Sequence, residues 1–198
     1  TEDPKLDVFK DNLNNVLFDK EKNIPQKLVI FSEAIDTVDT IKRVAEAKHH
    51  KVLKITAANR DEMETVILEN FDANYKGEQK NDYDIIVTTE VLAEGINLHR
   101  ANVILNYDTP WNSTRLMQRI GRVNRIGSTQ DKVYVYNFKP SAEGDAEIQL
   151  VQKAYTKLQS CHTLFGEYSK VYTSDEEVSH YDLNTMVNGE ESPFEQYI

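Results

Sequence analysis

Five short apolar runs, each of strand length and each followed by polar or helix-patterned chain, limit what this 198-residue sequence can fold into more than any other feature. They are residues 27–31 (KLVIF), 51–55 (KVLKI), 83–89 (YDIIVTT), 101–108 (ANVILNYD) and 132–138 (KVYVYNF). Apolar runs of this length bounded by turn residues read as strands buried on both faces. Between the first and second, Val38, Ile41, Val44 and Ala45 fall at helical spacing. Between the second and third, Met63, Val66, Ile67, Asn70 and Phe71 do the same. Strand and helix alternate, which predicts an α/β fold with a mostly parallel central sheet and helices on both faces. Ligands in such a fold meet the carboxyl ends of the strands.

The flanks read differently. Leu6, Phe9, Leu13, Val16 and Leu17 predict a leading helix packed on the sheet, within a leading segment of residues 1–26. Residues 27–140 form the lobe, and residues 141–198 a C-terminal segment. In that last segment Ile148, Val151, Tyr155, Leu158 and Cys161 keep a helical pattern, after which an acidic, partly ordered tail is expected. Hydrophobic residues make up 39% and charged residues 28%, and no uncharged apolar run approaches the about 18 residues of a membrane helix. These features predict a cytoplasmic protein with no membrane partner. The opening residues lack a secretory pattern, and the absence of an initial Met predicts a piece excised from a longer chain. Cys161 is the single cysteine, and His49, His50 and His99 show no ligand spacing, so no metal site is expected.

Charge is unevenly placed. The formal net charge is −10, yet residues 100–139 hold seven basic and two acidic side chains, and no acidic residue lies between Asp108 and Asp131. Within that island the stretch QRIGRVNRIG brings Arg119, Arg122 and Arg125 into ten residues. A helix over 114–125 puts Leu116, Ile120 and Val123 on one face, Arg115, Gln118, Arg122 and Arg125 on a broad opposite face, and Arg119 between them. A solvated amphipathic helix is one reading. The other is a site for a multiply charged anion, because guanidinium groups without local carboxylates suit bidentate contact with phosphate oxygens.

QRIGRVNRIG resembles motif VI of superfamily-two helicases, above all the Swi/Snf-type translocases and their bacterial remodelling-factor relatives. VTTEVLAEGINL (residues 87–98) resembles motif V and KLVIFSE motif IV, while NYDTPWNSTRLMQRIGRVNRIG follows the run of strand, aspartate, Pro-Trp-Asn and arginine helix. The resemblance implies a RecA-like lobe, the second of a two-lobe ATP-dependent motor acting on nucleic acid. By position, Arg122 and Arg125 correspond to the arginine fingers that reach the ATP γ-phosphate. Gln118, Gly95 and Asn97 correspond to nucleotide-side positions, and Ser32, Thr88 and Thr89 to contacts with the nucleic-acid backbone. Leu92 and Ala93 replace glycines of many eukaryotic members, and Asn124 and Ser128 replace a histidine and a glutamine. Those departures point away from a chromatin substrate and toward a bacterial translocase on double-stranded DNA. An RNA helicase lobe and a non-catalytic interaction domain are the alternatives. The sequence contains no G-x-x-x-x-G-K-[ST] phosphate loop. ATP with Mg2+ is therefore expected to be bound mainly by an N-terminal RecA-like lobe, and this chain alone is expected not to hydrolyse ATP.

Overall fold

The computed structural model describes residues 4–93, 95–108, 110, 113–138 and 178–182. The leading helix α1 spans Pro4–Asn12 and runs into one wide π-turn, Leu13–Leu17. Then follow β1 (Leu28–Phe31), α2 (Ile35–Ala47), β2 (Val52–Ile55), α3 (Glu64–Phe71), β3 (Ile85–Thr88), a 3-10 turn (Glu90–Leu92), β4 (Val103–Asn106), α4 (Ser113–Val123), β5 (Val133–Asn137) and β6 (Val178–Asp182). All neighbouring strands pair in parallel, in the order β2-β3-β1-β4-β5-β6.

Each of the five apolar runs became a strand, and β1, β3 and β4 are buried along their whole length. Alternate residues of those strands feed two apolar layers. Leu28, Ile30, Ile85, Val87, Val103 and Leu105 meet Phe9, Leu13 and Leu17 of the leading segment and Val38, Ile41 and Ala45 of α2. Val29, Phe31, Ile86 and Ile104 meet Ile67 and Phe71 of α3 and Leu116, Ile120 and Val123 of α4. Helices therefore cover both faces, as a sheet of two-sided apolar strands requires.

Two departures concern element ends. No strand is expected within the partly ordered tail, and Val178–Asp182 pairs with β5 from Val133↔Val178 to Asn137↔Asp182. Its sequence, VSHYD, has few apolar residues. An edge strand is paired on one side only and needs less apolar content than a central one, so periodicity gave no signal. Helix α4 stops at Val123, two residues short of its predicted end, which leaves Arg125 in the turn that follows. The helix predicted around residues 142–164 lies outside the described residues, as do Trp111, Asn112 and Cys161.

The pairing register brings Ile55, Thr88, Phe31, Asn106 and Asn137 into one level row, so the strands finish together. After β1 the chain builds outward through α2 to β2. After β4 it builds the other way through α4 to β5. The direction of winding thus reverses between β1 and β4, the place where open α/β sheets form a crevice at their carboxyl ends.

Candidate nucleotide and nucleic-acid interface

That crevice is spanned by a hydrogen-bonded carboxylate. Asp108, two residues past β4, accepts from Ser32 Oγ at 2.6 Å, from the Glu33 backbone N–H at 3.0 Å and from Lys5 Nζ at 2.9 Å. Burial pushes the Asp108 carboxyl up, but the bonds from Ser32, Lys5 and Glu33 outweigh it and hold the group below the usual carboxylate range. Lys5 also lies 4.4 Å from the centre of the Tyr107 ring, so α1 is anchored at the same crevice. Ser32 is fully buried, and its backbone N–H donates to Thr88 O at 3.0 Å. Thr88 is buried as well and donates its hydroxyl to Thr89 O at 3.0 Å. Of the three residues assigned to the nucleic-acid backbone, Ser32 and Thr88 have their hydroxyls engaged inside the lobe, while Thr89 is half-buried.

The loop after β3 carries Gly95 and Asn97. Gly95 has φ +89, in the region that favours glycine, and a Cβ built there would stand 2.8 Å from Arg60 Nη2. Asn97 is half-buried, and one residue later Leu98 N donates to Arg122 O at 2.7 Å. The loop is thus bonded to the backbone of α4 at the residue assigned as a finger. Gln118, Arg122 and Arg125 are half-buried, and Arg115 is exposed. Arg125 Nε donates to Gly121 O at 2.9 Å, which folds that side chain back along the end of α4.

Arg119 behaves unlike its neighbours. It heads the fully buried side chains by volume. Its Nη1 donates to Asn106 Oδ1 and to Asp108 O, both at 2.9 Å, and its Nη2 pairs with Glu90 Oε1. Its guanidinium carbon lies 4.9 Å from the centre of the Phe31 ring. Asn106 in turn donates to Asn137 Oδ1 at 2.8 Å. Burial pulls Arg119 down to about 10, opposed by the charge of Glu33, so the guanidinium stays charged at neutral pH. The arginines were expected to have no carboxylate close by in sequence, and Arg119 finds one from outside that stretch, at residue 90. An arginine between the two faces of an amphipathic helix was the available signal, but Asn106, Asn137 and Glu90 carried none on their own.

Behind the arginine segment, His99 is fully buried with neither ring nitrogen hydrogen-bonded, and its Nδ1 stands 3.6 Å from Asp72 Oδ1. Burial lowers its pKa, Asp72 opposes that and Arg125 adds to it, so the ring is neutral at physiological pH. Among the described residues no group of three His, Cys, Asp or Glu side chains is placed to hold a metal ion, and no helix is long and apolar enough to cross a membrane.

A parallel sheet covered on both faces, with Arg119 of α4 bonded to the carboxyl end of β4, defines an α/β lobe of the kind that binds its ligands at a topological switch point. Residues 5–127 match the helicase conserved C-terminal domain, and the chain belongs to that family. It is 29% identical over 175 residues to the uncharacterized ATP-dependent helicase YqhH of Bacillus subtilis, covering 80% of this chain and 29% of that protein. It is 31% identical over 143 residues to a putative ATP-dependent RNA helicase of Methanocaldococcus jannaschii, covering 72% of this chain and 18% of the relative. The chain thus spans under a third of the length of these relatives. The crystal structure of the C-terminal part of the Fun30 ATPase domain superposes with a TM-score of 0.59 at 22% identity, over 76% of this chain and 44% of that one, and establishes the fold as RecA-like.

Proposed function

We propose that the chain is the second motor lobe of an ATP-dependent, Swi/Snf-type translocase or helicase acting on double-stranded DNA. Arg122 and Arg125 serve as its arginine fingers. ATP with Mg2+ would be held mainly by an N-terminal RecA-like lobe of the same protein, with Gln118, Gly95 and Asn97 on the nucleotide side of this lobe. Thr89, with Ser32 and Thr88 beneath it, faces the nucleic-acid backbone. One observation carries the reading: α4 and the turn after it form an arginine segment with no acidic residue between Asp108 and Asp131, fastened through Arg122 O to the connection between β3 and β4. Guanidinium groups fit phosphate oxygens there, because the planar fork stays ionised and binds two oxygens at once. The bound nucleotide supplies the γ-phosphoryl group and the free energy of its transfer. The lobe's own part is to stabilise developing charge and to move as the cleft closes.

In the full-length protein, Arg122→Ala or Arg125→Ala should lower nucleic-acid-stimulated ATP turnover by about two orders of magnitude or more while ATP affinity stays near normal, since finger arginines are worth about 10³–10⁵ in rate. Lysine should not rescue either position. Arg115→Ala, exposed and about two turns before Arg122, should cost far less. Near-normal turnover in both finger variants would reduce the segment to a solvated surface. An RNA substrate is the second reading, favoured by the name of the M. jannaschii relative. Turnover stimulated by RNA and not by duplex DNA would replace the DNA assignment.

A further inference from the structure

Four hydrogen bonds run in series from the leading helix to Thr89. Lys5 Nζ donates to Asp108 Oδ1 at 2.9 Å, and Ser32 Oγ donates to the other oxygen, Oδ2, at 2.6 Å. Ser32 N then donates to Thr88 O at 3.0 Å, and Thr88 Oγ1 to Thr89 O at 3.0 Å. Ser32 and Thr88 are fully buried, whereas Lys5, Asp108 and Thr89 are half-buried. We infer that Lys5 and Asp108 are positioning residues for the nucleic-acid contact at Thr89, so that the leading helix α1 sets how firmly this lobe holds the backbone. The inference rests on the motor-lobe reading above.

Asp108 is the junction of the series. Its Oδ2 also accepts from the Glu33 backbone N–H at 3.0 Å, so one carboxylate fastens the start of α1 to the turn that follows β1. Charge-assisted bonds of this kind are stronger than neutral ones, and away from bulk water they fix the orientation of the groups they join. Lys5 is placed by more than the ion pair, since its Nζ lies 4.4 Å from the centre of the Tyr107 ring and 5.3 Å from that of Phe138. Those two residues directly follow β4 and β5, so the first turn of α1 lies across the carboxyl ends of both strands. With Lys5 in place the carboxylate is drawn toward α1 and holds Ser32 in one position, and Ser32 N holds the end of β3 from which Thr89 projects. Without Lys5 the carboxylate turns toward solvent, and the step from Thr88 to Thr89 loses its fixed reference. The Lys5 ammonium is engaged by Asp108 and the two rings, so it serves the contact through Asp108 and not by meeting phosphate itself.

The test uses the full-length two-lobe protein and reads the concentration of duplex DNA, single-stranded DNA or RNA that half-saturates the stimulation of ATP turnover. Lys5→Met removes the ammonium and keeps an apolar stem against Tyr107 and Phe138. Asp108→Asn keeps an acceptor for Ser32 and gives up the charge that draws Lys5. Both should fold, which circular dichroism and thermal melts confirm. Each should raise the half-saturating concentration by about fivefold or more, the order of one net hydrogen bond, with unstimulated turnover and KM for ATP within about twofold of wild type. The double variant should be no worse than the worse single one, because both changes break the same link. Lys5→Arg, which keeps a cation for the carboxylate, should restore most of the affinity. Lys10→Met removes one charge from the same helix, where Lys10 pairs with Asp7, and should leave half-saturation unchanged. The dependence of affinity on salt should be the same in Lys5→Met as in wild type. A pair that only stabilises the fold would lower the melting temperature and leave half-saturation where it is, and that result in either folded variant overturns the proposal. So do losses that add in the double variant, or a loss in Lys10→Met equal to that in Lys5→Met. A salt slope smaller by about 0.9 in Lys5→Met also overturns it, since Lys5 would then be a direct phosphate contact. A wild-type protein that none of the three nucleic acids stimulates overturns the motor-lobe reading itself, and this inference with it.

Discussion

Lys27 shows how far a single side chain can strain against its surroundings. It opens the apolar run of β1, is buried, donates to Tyr83 O at 2.8 Å and lies 4.7 Å from the centre of the Phe71 ring. Burial, with the charge of Arg100 added, pulls its pKa from 10.5 to about 8, while Asp84 and Asp82 oppose. A cation whose folded pKa is depressed binds its proton less tightly in the fold than in the unfolded chain. Stability therefore rises with pH between about 8 and 10.5. We predict that Lys27→Met is more stable than wild type at pH 7 by about 1 kcal/mol, after allowing for the donor lost to Tyr83 O. Chemical denaturation from pH 7 to 10.5 should show that advantage shrinking through the same window, and a constant difference would refute the assignment. Residue-scale chemistry was legible only where it was written in sequence neighbours. The arginine segment and Gly95 stood out in one dimension. The Asp108 carboxylate with Ser32 and Lys5, and Glu90 with Arg119, are pairs that only the sheet brings together.

At the scale of elements, the strands and the apolar faces of the helices were readable because burial on two sides leaves a continuous apolar run and burial on one side leaves a stripe. Ends were less readable. β6 has too few apolar residues to announce itself, and α4 stops before Arg125. The wide turn Leu13–Leu17 was equally silent. In an α-helix, positions four apart drift by about 40° around the axis, and a wider turn winds back against that drift, which keeps Phe9, Leu13 and Leu17 all against the sheet. The loop after β3 yields a prediction at this scale. Gly95→Ala should destabilise the lobe by about 1–2 kcal/mol, since its φ of +89 is strained for a residue with a Cβ. The neighbouring Arg60 Nη2, at 2.8 Å from that Cβ, belongs to a flexible side chain and can move aside. Arg60→Ala in the Gly95→Ala background should accordingly recover little of the loss in a denaturant titration. Full recovery would locate the cost in the side chain instead of the backbone.

For the whole molecule, the absence of a phosphate loop from the sequence predicts that the purified 198-residue chain shows no Mg2+-dependent ATP turnover above background. Robust turnover by the chain alone would contradict this. Its binding to nucleic acid should be weak and fade as salt rises, because one lobe neutralises few phosphates and the chain as a whole carries −10. Sub-micromolar binding that survives physiological salt would count against it. The strand order has a consequence for how such a chain comes into being. β1 is made first and ends in the middle of the sheet, flanked by β3 and β4, whose last residues are Thr88 and Asn106. During synthesis the ribosome thus delivers Leu28–Phe31 long before either neighbour that will shield its edges. Until Asn106 has emerged, a growing chain carries a bare apolar ribbon, and the nascent protein is at its most vulnerable to self-association and to proteases in that interval.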